Sequence, residues 1–131
     1  MEWVVAFIQL FITAHVAKPE YNIGMATTFS AEGDEHNPMP WAACLHRDLR
    51  DATDMIIASR DLPCRSKVLV CLPRTNKCVI ARVGDRGPFG KKRSGEYRAV
   101  MDLAPAVRKY LHHNGYETVW WQSLQTPTSQ P

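Results

Sequence analysis

No stretch of this 131-residue chain is apolar for the ~20 residues that a bilayer-spanning helix needs. The longest candidate, Trp3 to Ala17, is interrupted by Gln9, Thr13 and His15. It also lacks any Lys or Arg before Lys18, so the basic start of an ordinary secretion signal is missing and Glu2 stands there instead. Its end, Ala14-His15-Val16-Ala17, nevertheless has an A-x-A-like cleavage pattern. Three readings stay open for it: a weak signal, a short anchor, or an apolar helix that joins a larger assembly through residues 1–17. Dense charge is absent as well. Sixteen basic and 13 acidic residues leave a net charge of +3 with no single dense run, which argues against a nucleic-acid partner. No internal repeat is visible.

The four cysteines, Cys44, Cys64, Cys71 and Cys78, lack C-x-x-C spacing, and no His follows them at a finger-like offset, so no metal site is expected. Cys71 and Cys78 flank the turn-like Leu72 to Lys77 and would face each other across a hairpin. That pairing leaves Cys44 with Cys64, and together they imply an oxidising compartment. Four reduced, buried thiols are the alternative.

Apolar residues make up 45% of the chain and charged residues 22%, enough for one folded domain with its own core. Gly24 to Ser30 reads as a first strand, Met55 to Ala58 as a short apolar one, and Lys67 to Leu72 with Lys77 to Val83 as a hairpin. Trp41 to Asp54 reads as polar and irregular. Arg98 to Met101 is a further short strand. Leu103, Ala106, Val107, Tyr110 and Leu111 then fall on one helical face, with Asp102 as a cap, Pro105 in the first turn and Asn114-Gly115 as the stop. Tyr116 to Gln122 reads as the last strand. His112 and His113 sit where a helix presents its negative pole. The divisions expected are an apolar segment and linker over 1–23, a barrel domain over 24–122 and a polar tail over 123–131.

Several of these segments occur in the order of a known family. Gly24-Met25-Ala26-Thr27-Thr28-Phe29-Ser30, Ala58-Ser59-Arg60-Asp61-Leu62-Pro63, the run into Gly84-Asp85-Arg86-Gly87-Pro88-Phe89, and Met101-Asp102-Leu103 resemble the motifs of the rare lipoprotein A family. The resemblance covers about residues 24 to 121. It implies a mainly β fold: a six-stranded double-psi β-barrel with one short α-helix after the Asp-Arg-Gly-Pro-Phe loop, alongside the N-terminal apolar helix. It also implies an extracytoplasmic protein, periplasmic, secreted or virion-associated, that acts on peptidoglycan glycan strands without a cofactor.

In that family the glycan is cleaved without water. One carboxyl protonates the glycosidic oxygen and then takes a proton from the sugar's own hydroxyl. The resemblance puts Asp85 in this acid/base role with Asp48 assisting, where the family has a Glu. Phe29, Trp41, Arg86 and Ser59 become the substrate-binding residues. Gly84, Gly87, Pro88 and Asp102 become structural ones, with Arg86 expected to pair with Asp102. Thr28 stands where the family has Trp and Ser59 where it has His. An expansin-like wall-binding module that does not cut, or a structural part of a phage tail, is the alternative to an enzyme.

Overall fold

The computed structural model describes residues 21–31 and 41–124. The apolar segment over 1–17, the partner contacts expected of it and the tail beyond 124 lie outside them.

The chain forms β1 (Asn22–Thr28), β2 (Trp41–Ala42), β3 (Arg47–Asp48), β4 (Ile56–Ala58), β5 (Lys67–Leu72) and β6 (Lys77–Asp85). It ends with β7 (Met101–Leu103), α1 (Pro105–Leu111) and β8 (Glu117–Ser123). Six strands close into a barrel in the order β1-β7-β4-β6-β5-β8, and β2 with β3 make a separate two-stranded sheet. Pairs β1–β7 and β4–β6 are parallel, and the other barrel pairs are antiparallel. The expected mainly β fold, the closed six-stranded barrel and the short helix after the Asp-Arg-Gly-Pro-Phe loop are present among the described residues.

Alternation explains why these segments are strands. In β5, Val68, Val70 and Leu72 are buried while Lys67 points out, and in β6 Ala81 and Val83 continue the inward row. These side chains meet Ala26, Ile57, Met101, Leu103, Val107, Leu111 and Val119 in one core. The region 41–54, read from sequence as irregular, instead holds the β2–β3 hairpin. Ala42 and Leu49 bury against Ile56 and Ala104 in a second, smaller core, with Phe29 packed beside them.

The helix is shorter than its apolar period. Leu103 belongs to β7, Pro105 opens the helix, and Tyr110 is exposed, so only Val107 and Leu111 bury. Asp102 does not cap it: Ala104 is the N-cap and makes no side-chain bond. Asp102 lies in β7 and accepts the hydroxyl hydrogen of Thr27 from the neighbouring parallel strand. At the other end, His112 ends α1 in the left-handed conformation at φ 60°. His113 is buried, donating from Nε2 to the Glu117 carbonyl at 3.1 Å and accepting the Gly115 N–H on Nδ1 at 3.0 Å. It clips the helix to β8, a more specific role than meeting the helix pole.

Both sulfur pairs are bridged, Cys44–Cys64 and Cys71–Cys78. The second joins directly opposed residues of the β5–β6 hairpin. Two disulfides point to an oxidising, extracytoplasmic setting.

Candidate functional site

Strand β6 runs the length of the barrel and delivers Asp85 at its end. The register against β4 pairs Ile57 with Val83 and then Ala58 with Asp85, so Gly84 is an extra, bulged residue. A bulge re-aims the residues after it and frees a backbone group. The Gly84 carbonyl accordingly accepts the Cys44 N–H at 3.0 Å. A Cβ on Gly84 would lie 2.4 Å from Ile56 Cδ1 and 2.8 Å from its Cβ. The space at Gly84 is therefore filled by Ile56, and the glycine serves close packing, in keeping with its expected structural role.

Asp85 keeps only 9% of its surface exposed. Its Oδ1 accepts two backbone N–H groups, from Ala43 at 3.0 Å and Arg86 at 2.8 Å. Its own carbonyl accepts the Ser59 N–H at 3.1 Å. The carboxylate thus anchors the β2–β3 hairpin to the barrel, an attachment reinforced by the Cys44–Cys64 bridge. Trp41, 50% exposed, pairs directly with the exposed Asp48 across this hairpin. Cross-strand neighbours sit ~5 Å apart at Cβ, so an aromatic face and a carboxylate stand side by side. Behind them Arg47 makes a bidentate ion pair with Asp54 at 2.8 and 2.9 Å, which holds the Asp54 carboxyl below its ordinary range. Phe29 is half-buried beneath the hairpin and supports it by packing.

Two expected ligand contacts have local structural partners. Ser59 is 3% exposed, and its hydroxyl accepts the N–H groups of Leu62 at 3.1 Å and Asp61 at 3.4 Å, closing the turn after β4. Arg86 reaches into the same turn, donating to the carbonyls of Ser59 and Leu62 and to Cys64 Sγ. Its contacts therefore lie in the 59–64 turn, not at Asp102. Gly87 adopts φ +125°, a conformation that favours glycine, and a cis peptide joins it to Pro88. Phe89, just beyond, is 63% exposed.

Sequence reasoning missed Arg60. Its guanidinium donates to the carbonyls of Pro88 and Ala99 and lies 3.8 Å from the Tyr97 ring centroid, closing the base of the 86–99 loop. Nothing in its local sequence signals this, because every partner is at least 28 residues away. No cluster able to hold a metal ion occurs among the described residues.

A mainly β protein, its closed barrel stiffened by disulfides and an aromatic–carboxylate hairpin pinned to one end, is the class these features define. No family model and no curated protein sequence matches the chain. Among solved structures it is similar to the Streptomyces papain inhibitor, with a TM-score of 0.56 at 16% identity. That likeness covers 81% of this chain and 96% of the inhibitor, and it is one of fold.

Proposed function

We propose that this chain is an extracytoplasmic wall-binding module, periplasmic or virion-associated, that holds peptidoglycan glycan strands on the Trp41–Asp48 hairpin. The observation that carries this reading is Asp85, whose Oδ1 takes two backbone N–H groups and fixes that hairpin on the barrel end. A rigid indole beside a carboxylate suits a sugar, which offers a stacking face and hydroxyl donors. The closed barrel with two parallel strand pairs supports a double-psi topology of the rare lipoprotein A kind.

Binding without cleavage is favoured over catalysis on three counts. Asp85 is committed as an anchor, Asp48 is one methylene shorter than the family's Glu, and Ser59 is buried where the family has His. One observation supports the lytic-transglycosylase reading: both bonds to Asp85 fall on Oδ1, and no described residue donates to Oδ2. That oxygen could carry the proton given to the glycosidic oxygen and later recover one from the sugar hydroxyl.

Incubation with purified sacculi separates the readings. The wild type is expected to sediment with sacculi and release no anhydro-ended muropeptides, and Trp41→Ala to lose sedimentation. Release of such products by the wild type, abolished in Asp85→Asn, would establish the enzyme. Inhibition of papain with no sacculus binding would place the function nearer that of the structural neighbour.

A further inference from the structure

The loop that leaves Asp85 builds a second concavity. Residues 90–98 form a small hairpin held by backbone bonds from Lys92 N to Glu96 O at 2.8 Å, Gly95 N to Lys92 O at 2.9 Å and Arg98 N to Gly90 O at 3.0 Å. Lys91 and Tyr97 bridge across it. Lys92, Arg93 and Arg98 converge from this hairpin, with Tyr116 from the α1–β8 connection, on a cavity of about 430 Å³. Among the described residues only Arg98 of these three cations has a side-chain hydrogen bond, Nε to the Lys91 carbonyl at 3.1 Å, and this orients the rest of its guanidinium. None of the three cations makes an ion pair with a described residue, and the acidic residue of the hairpin, Glu96, is not among those lining the cavity.

Several arginines elsewhere are held by the fold. Arg47 is held by Asp54, Arg74 by Glu117, and Arg60, Arg86 and Arg108 by backbone carbonyls. Three cations and a phenol gathered without a carboxylate partner form a site complementary to an anionic group. We infer that this cavity binds the anionic groups, carboxylates or phosphates, that a wall polymer carries beside its glycan. It would act as a second point of attachment to the polymer held at Trp41, and in that respect it rests on the function proposed above. Two weak contacts on one rigid scaffold raise retention through effective concentration without any new fold.

The test measures retention of the full chain on sacculi against salt, comparing wild type, Lys92→Gln/Arg93→Gln and Trp41→Ala. Arg98 is left in place because it ties the hairpin. Parallel arms use sacculi stripped of phosphodiester polymer, sacculi stripped of peptide stems, and soluble polyglutamate and polyphosphate. The double variant is expected to bind sacculi roughly tenfold more weakly at 50 mM salt and to converge with wild type at 500 mM, where charge contacts are screened. Whichever stripping step reproduces the double variant's loss identifies carboxylate or phosphate as the ligand. Equal retention of double variant and wild type at low salt overturns the inference and leaves the Trp41 reading standing. Binding of the polyanions through Lys92 and Arg93 without sacculus binding keeps the anion site and overturns the glycan reading. Displacement from sacculi by duplex DNA at lower concentration than by either polyanion would overturn the assignment to a wall polymer.

Discussion

The two ends of β6 are held by different means. At its Lys77 end, Arg74 bonds the Glu117 carboxylate at 2.7 and 3.0 Å and the His112 carbonyl at 2.7 Å, joining the hairpin turn, the helix end and β8. At its Asp85 end the roles are reversed. There a carboxylate collects backbone N–H groups, while Arg60 and Arg86 hold loops by their carbonyls. An exposed ion pair between side chains contributes little, whereas partly buried polar backbone groups cost much when their partners go. The Asp85 end should therefore be the more fragile one, and it is also the end that carries the candidate site.

Four measurements bear on that difference. Removing the Cys44–Cys64 bridge by alanine replacement opens a 20-residue separation at the site end and should cost about 3 kcal/mol by chain entropy. The Cys71–Cys78 bridge, with a separation of 7, should cost about 2 kcal/mol. A larger loss at Cys71–Cys78 in denaturant titrations would break the comparison. Next, Asp85→Ala strands the N–H groups of Ala43 and Arg86 and should destabilise by about 2–3 kcal/mol, while Asp85→Asn keeps an acceptor and should cost about 1 kcal/mol. Equal stability of the two variants would show that the anchor is not what holds the hairpin.

A smaller effect is expected at the Lys77 end. The Arg74 guanidinium, aided by the Asn114 N–H, brings the Glu117 carboxyl down from 4.5 to about 2. A depressed carboxyl stabilises the fold above its unfolded value, so this contribution is full above pH 4.5 and disappears as pH falls through about 2. Asp54 is shifted in the same direction by Arg47. Glu117→Gln should flatten only part of the acid decline in unfolding midpoint, and a decline identical to wild type would remove Glu117 from the account. Smallest of all, Trp41→Ala should alter stability by no more than about 0.5 kcal/mol, since half of the side chain is already in water. A large loss of stability there would make Trp41 a packing residue and weaken its reading as a ligand contact.

Legibility in the sequence tracks the range of the interaction. The β5–β6 hairpin, its disulfide and the placing of Asp85 at a strand end depend on neighbours a few residues apart, and all were legible. The β2–β3 hairpin was not, because two-residue strands carry no period and their order comes from Asp85, 42 residues away. Asp102 was misassigned for a related reason. An acidic residue before Pro105 has the pattern of a helix cap, but its parallel neighbour Thr27, 75 residues earlier, takes the carboxylate. The same holds at Ser59 and Arg86, where the family resemblance implied ligand contacts and the 59–64 turn supplied partners.

The strand order also constrains how the barrel can be made. Of its six adjacent pairs only β5–β6 joins consecutive strands; β1 must wait for β7, β4 sits between β6 and β7, and β8 enters last between β1 and β5. Until Glu117–Ser123 has arrived, both flanking strands carry open edges and the cylinder cannot close. Folding should thus begin from the local hairpin and finish late and slowly, as pairings distant in sequence do. Until that last strand closes the cylinder, the four sulfurs stay within reach of an oxidant, so the oxidising setting that the two disulfides point to can act before the barrel is complete.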